Sequence, residues 1–159
     1  MSAVQIADQE EQLVVFNLGN EMYGVEISGV QEIIRMQAIT RVPGAPAFVE
    51  GVINLRGKII PVIELHQRFG LNSVEAGSDS RIVVVETQGH VLGMVVDGVS
   101  EVLRIPSDSV EPPSPIVTGN DSDYIRGIAK LENGLITLLQ LDMVLTGQQR
   151  EALKDGSLN

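Results

Sequence analysis

The decisive stretch runs Glu50-Gly-Val-Ile-Asn-Leu-Arg-Gly-Lys-Ile-Ile-Pro-Val-Ile-Glu-Leu-His-Gln-Arg-Phe69. Two short apolar runs flank a polar corner, Arg56-Gly57-Lys58, which is the pattern of a β-hairpin with glycine relieving the turn. In the second arm Ile59, Pro61, Ile63 and Leu65 share one parity, and Lys58, Ile60, Val62 and Glu64 share the other. Side chains alternate across a strand, so aliphatics on both parities predict an arm covered on both faces.

The pattern returns without a gap at residues 127–141. Gly51 falls on Gly127, Leu55 on Leu131 and Leu65 on Leu141, an offset of 127 − 51 = 76. Asn133-Gly134 is itself a hairpin signal. Upstream, residues 16–35 align with 85–104 at an offset of 104 − 35 = 69, placing Gly24 on Gly93, Gly29 on Gly98, Val30 on Val99 and Glu32 on Glu101. The second copy therefore holds 76 − 69 = 7 extra residues between Arg104 and Gly127. Glu111-Pro-Pro-Ser-Pro115 and Thr118-Gly-Asn-Asp-Ser-Asp123 mark that interval as loop.

Strand patterns occupy residues 12–18, 22–27, 81–86 and 91–96. Residues 30–36 allow a helix, because Ser28 and Gln31 have capping-box spacing. Their short length and β-branched content favour a strand. Residues 66–70 read as a helical turn, 72–80 as a polar joint and 147–154 as a short surface helix. The sum is an all-β chain with about five strands in each of two copies. The expected organisation is a lead at 1–11, a first barrel at 12–75, a second at 76–147 and a C-terminal helix or tail at 148–159. A half of this size is marginal alone. One strand face is expected to fill a barrel and the other a core shared between the lobes.

Composition fits this reading and narrows function. Hydrophobic residues are 43% of 159 but aromatics only 3%, with no Trp, so the core must be aliphatic. The absence of Cys excludes disulfides and thiol chemistry. A net charge of −10 without a basic run disfavours nucleic-acid binding. No apolar run reaches membrane-spanning length, and the N-terminus lacks signal-peptide character, so a cytoplasmic location is expected.

Catalytic constellations are not found. His66 and His90 lack a second ligand at helical spacing and read as exposed turn histidines. Asn120, Asp121 and Asp123 lack the calcium-loop offsets and read as a solvated acidic loop. Phosphate-loop and nucleophile-elbow motifs do not occur. Three features remain. Arg56 is either a solvated hairpin residue or a recognition arginine, and Glu132 replaces it in the second copy. Val30 and Glu32 are expected on one strand face, either as a core valine beside a solvated glutamate or as a binding pair. Residues 97–103 read as a turn entering a strand that repeats residues 28–34. A duplicated aliphatic fold without an active-site set has the character of an adaptor, working through grooves and strand edges. A small-molecule binder using the interlobe cleft is the contrasting reading.

Residues 48–65 and 95–103, with Tyr23-Gly-Val-Glu-Ile27 and Val30-Gln-Glu-Ile33, strongly resemble the bacterial CheW family of chemotaxis coupling proteins. The resemblance runs from about Gln12 to Leu145, and its Asn-Leu-Arg-Gly motif is quite specific. It implies two five-stranded SH3-like β-barrels around a shared aliphatic core, no catalysis and no cofactor or metal. It implies an adaptor that couples the cytoplasmic hairpin tip of transmembrane chemoreceptors to the regulatory domain of the histidine kinase CheA, with rings as a further assembly. By motif position, receptor binding would fall on Val30, Glu32, Arg56, Val99 and Val102. A second-barrel surface would meet the kinase, without residues assigned. Such a protein would sit at the inner membrane only through its receptors. Flagellar chemotaxis, surface motility and other outputs all remain open.

Overall fold

The computed structural model describes residues 10–69, 71, 77–112, 124–132 and 134–144. The described residues form eleven strands, in chain order: β1 Glu10–Leu18, β2 Glu21–Glu26, β3 Val30–Arg35, β4 Val49–Leu55, β5 Lys58–Glu64, β6 Arg81–Thr87, β7 His90–Val96, β8 Gly98–Pro106, β9 Val110–Glu111, β10 Ile125–Leu131 and β11 Gly134–Leu139. A helical turn, α1, covers Leu65–Arg68, and short 3-10 turns follow β2, β8 and β11. Residues 30–35 are a strand, as their β-branched content favours.

The strands form two sheets. One has the order β8-β1-β2-β11-β10-β9 and the other β3-β6-β7-β5-β4. Matching pairs recur in both: β1–β8 and β3–β6 are antiparallel, while β2–β11 and β5–β7 are parallel. The fold is thus an all-β pair of lobes related by internal duplication.

The lobes do not follow the expected division. A boundary at 75/76 falls inside one lobe, because the second sheet takes β3 to β7, residues 30–96, as one continuous piece. The other lobe is built from both ends of the described chain, β1–β2 with β8–β11. Each sequence copy gives its first hairpin to the sheet of the other copy. Glu10 and Glu11, expected in the lead, already belong to β1. The proposed helix at 148–159 lies outside the described residues, as do 113–123, where most of the extra loop falls.

Burial explains the two-sided strands. Leu13 and Val15 of β1 point into the first lobe with Ile105, Ala129, Ile136 and Leu138. Their neighbours Val14, Phe16 and Leu18 point the other way, into a core between the sheets with Ile63, Leu65, Val83, Val85 and Met94. Ile60 and Val62 fill the second lobe with Ile53, Ile82 and Val84. Each such aliphatic, fully buried, contributes about 1.5–3 kcal/mol. Four of the five aromatic residues stack in sequence across the shared core: Phe16 on Tyr23 at 6.1 Å, Tyr23 on Phe69 at 5.5 Å and Phe69 on Tyr124 at 4.7 Å between ring centroids.

One glycine pair records how tightly the duplicated corners close. Gly51 sits at a bulge in β4 where residue 40 bridges to Val52. A Cβ on Gly51 would overlap the Thr40 carbonyl oxygen and lie 2.7 Å from Ile39 Cγ2. Gly127 repeats this, with a built Cβ 2.7 Å from the Glu111 carbonyl oxygen. Backbone cannot yield as a flexible side chain does, so Gly51→Ala is expected to destabilise by about 1–3 kcal/mol. Denaturant titration checks it, and an unchanged midpoint would contradict the close approach.

Candidate functional site

The sheets leave β3 and β8 as equivalent edge strands, and all five residues expected at the site lie on them or on the β4–β5 turn. Edge strands carry unpaired backbone groups, so their side chains decide what can approach. Each edge strand carries a bulge. Val30 pairs with Val85 and Glu32 with Val84, leaving Gln31 as the extra residue. On β8, Val99 pairs with Phe16 and Glu101 with Val15, leaving Ser100 as the extra residue.

This corrects the expected alternation. An extra residue reverses the parity beyond it, so Val30 and Glu32 lie on opposite faces rather than on one. Val30 shares its face with Ile33, because Ile33 pairs with Val83 and Val30 with Val85. By the same register Val99 shares its face with Val102, which pairs with Val14. Val30 and Val99 both pack partly buried against the shared core. Ile33 and Val102 stand out from it, 39% and 51% exposed.

Ile33 is the residue the sequence reading missed. It lies 102 − 33 = 69 residues before Val102, the offset of the repeat. The duplication therefore holds the signal, but strict alternation hides it. Asn17, Ile33, Asp79, Arg81, Asp97, Gly98 and Val99 line one cleft, so β3 and β8 border the same groove between the lobes.

Arg56 meets Glu32 of β3, on the face opposite Val30 and Ile33. Arg56-Gly57 is a two-residue turn with Leu55 paired to Lys58, and both turn residues have positive φ, 51° and 88°. Lys58, expected in the corner, is the first residue of β5. Asn54 Oδ1 accepts the Gly57 N–H at 2.8 Å and holds the turn. Asn or Gly ordinarily occupies such a first position, so an arginine there is kept against local backbone preference. Its guanidinium is held by both Glu32 carboxylate oxygens, one contact being Nη1 to Oε1 at 3.2 Å. The Arg56 side chain remains 70% exposed and that of Glu32 28%. In the second copy Leu131 pairs with Gly134. Glu132 takes the place of Arg56, and Gly134 opens β11 instead of forming the turn; Asn133 lies outside the described residues.

The histidines depart from expectation. His66 is 2% exposed, not an exposed turn residue. Its partner Asp97 lies 31 residues away, beyond what local sequence signals. His90 is half-buried at the start of β7. Asn120, Asp121 and Asp123 lie outside the described residues. Among the described residues no three His, Cys, Asp or Glu side chains are grouped to hold a metal. No described helix is long and apolar enough to cross a membrane.

Fold and site together define a class: a duplicated double β-barrel with exchanged hairpins and a groove between two bulged edge strands. Residues 12–149 match the CheW-like domain, and the chain belongs to the CheW family. It is 34% identical over 152 residues to the chemotaxis protein CheW of Treponema pallidum (strain Nichols), covering 93% of this chain and 89% of that protein. It is 29% identical to the protein FrzA of Myxococcus xanthus, covering 91% of each. The crystal structure of the scaffolding protein TtCheW from Thermoanaerobacter tengcongensis superposes with a TM-score of 0.81 at 42% identity, covering 89% of this chain and 91% of that one.

Proposed function

We propose that this protein is a non-catalytic coupling scaffold of chemosensory arrays. It binds the cytoplasmic helical hairpin of a chemoreceptor in the interlobe groove. A surface of the lobe formed by β1–β2 and β8–β11 meets the regulatory domain of the kinase CheA. The observation that carries the receptor half is the groove itself. Val30, Ile33, Val99 and Val102 form two equivalent apolar pairs, one on each bulged edge strand. An amphipathic helix presents apolar side chains every three to four residues, which is a fitting partner for such a surface. The Glu32–Arg56 pair, anchored on the same edge strand β3, supplies charges that set register rather than bulk affinity. Membership of the CheW family supports the chemotaxis assignment and a cytoplasmic position beneath receptor arrays.

Calorimetric titration of the full chain tests both halves. Saturable binding to a helical receptor-tip fragment and to the isolated kinase regulatory domain from the same genome is expected. Binding to neither, by a folded sample, would remove the coupling role and return attention to small ligands of the cleft.

A further inference from the structure

His66 lies where the two lobes are tied together. It sits in α1, directly after β5 of the second sheet. Asp97 is the single residue between β7 of that sheet and β8 of the other. His66 Nδ1 is 2.8 Å from Glu64 Oε1, and Nε2 is 3.0 Å from Asp97 Oδ2. Asp97 Oδ2 also accepts the Gly19 N–H at 2.6 Å, from the β1–β2 turn of the first sheet. The Asp97 N–H donates to the Asn17 carbonyl at 3.0 Å. Glu64 Oε1 accepts the His66 backbone N–H at 3.0 Å.

Each ring nitrogen of His66 faces a carboxylate oxygen. The same Glu64 and Asp97 oxygens that face the ring also accept backbone N–H groups. A neutral imidazole has one N–H and would aim a lone pair at the other carboxylate. Only the imidazolium donates at both nitrogens. Among the described residues the charged groups facing the ring are Glu64 and Asp97, and Asp79 and Arg81 line the cleft beyond Asp97. The other copy has no such group. At the repeat offsets His66 corresponds to Asp142 (66 + 76), Glu64 to Gln140 (64 + 76) and Asp97 to Ser28 (97 − 69). The device is peculiar to the crossing that leads into the groove wall, because Asp97, Gly98 and Val99 all line the cleft.

We propose that His66, as an imidazolium, is a proton-held strap between the lobes and a positioning residue for Val99, so that loss of its proton loosens the β8 side of the groove. The receptor-groove role of Val99 rests on the function proposed above; the strap does not. Burial pulls the His66 pKa down, but the hydrogen bonds and charges of Glu64 and Asp97 outweigh it and hold the pKa above its ordinary 6.5. A raised folded-state pKa gives stability that is complete below about 6.5 and is lost as pH rises through the folded value.

The test is a pH titration of the ¹⁵N-labelled full chain, following the ring nitrogens of its two histidines, with His90→Gln to assign them. Below about pH 6.5 both His66 nitrogens are expected at protonated shifts, with the midpoint above that ordinary value. The amides of Gly19 and Val99 should move with that midpoint, and Asp97→Asn should lower it. A midpoint at or below 6.5, or Gly19 and Val99 amides that do not follow it, overturns the strap. Affinity for the receptor-tip fragment should decline across the same midpoint. An affinity constant through it overturns the positioning role, whereas no binding at any pH overturns the receptor reading alone.

Discussion

A fragment comprising residues 12–75, one full copy of the sequence repeat, is expected not to fold as a monomer. Its strands are β1 to β5, but β1 pairs with β8, β2 with β11, β3 with β6 and β5 with β7, none of which lies within a single copy. The fragment keeps only the hairpins β1–β2 and β4–β5. Two-stranded hairpins are at best marginal in water. Phe16, Leu18, Ile63 and Leu65 would lose the facing Val83, Val85 and Met94 of the shared core. A fragment of residues 30–97 differs in kind, since it holds one complete five-stranded sheet. It should gain strand structure while exposing its apolar face and self-associating. Amide dispersion in ¹H–¹⁵N spectra separates these outcomes, and a dispersed, monomeric 12–75 fragment would contradict the hairpin exchange.

Charge reversal at Arg56 is expected to give the largest functional effect. Arg56→Glu places a carboxylate beside Glu32 of β3, so it repels rather than merely releases. Affinity for the receptor-tip fragment should fall about tenfold, with the unfolding midpoint nearly unchanged because exposed pairs contribute little to stability. Arg56→Lys keeps the charge but loses the two-pronged geometry, and an intermediate loss is expected. The double variant Glu32→Arg with Arg56→Glu restores an internal pair in reverse. If it recovers binding, Arg56 acts only by holding the turn; continued weak binding means that it meets the partner directly.

The residues that announced the fold were those whose meaning is local. The hairpin at Arg56-Gly57, its echo 76 residues later and the two-sided aliphatic arms follow from side-chain alternation and turn chemistry. The allocation of hairpins to lobes does not. The first hairpin carries the same pattern whichever copy it joins, so self-similarity conceals the exchange. The bulges at Gln31 and Ser100 were hidden for a related reason. An extra residue leaves no mark in composition, yet it moved Glu32 to the other face and brought Ile33 to the groove. His66 was misplaced because its burial depends on Asp97, which only the tertiary fold brings near.

The exchanged hairpins also impose an order on synthesis. Asn17 pairs with Gly98, so the end of β1 leaves the ribosome 98 − 17 = 81 residues ahead of its partner in the other copy. At roughly 5–20 residues per second that is about 4–16 s, during which residues 30–96 can complete their own sheet. Leu13, Val14, Val15, Phe16 and Leu18, all fully buried at the end, spend that interval without their cover. Such a β-prone run invites association between nascent chains. Glu10 and Glu11 before it and Glu21 and Glu26 in the returning strand place beside it charges of the kind that oppose such association. Glu11 then takes on a second duty. Once β10 arrives, its carboxylate captures the guanidinium of Arg126, and a charge at the head of that exposed run becomes part of what holds it in place.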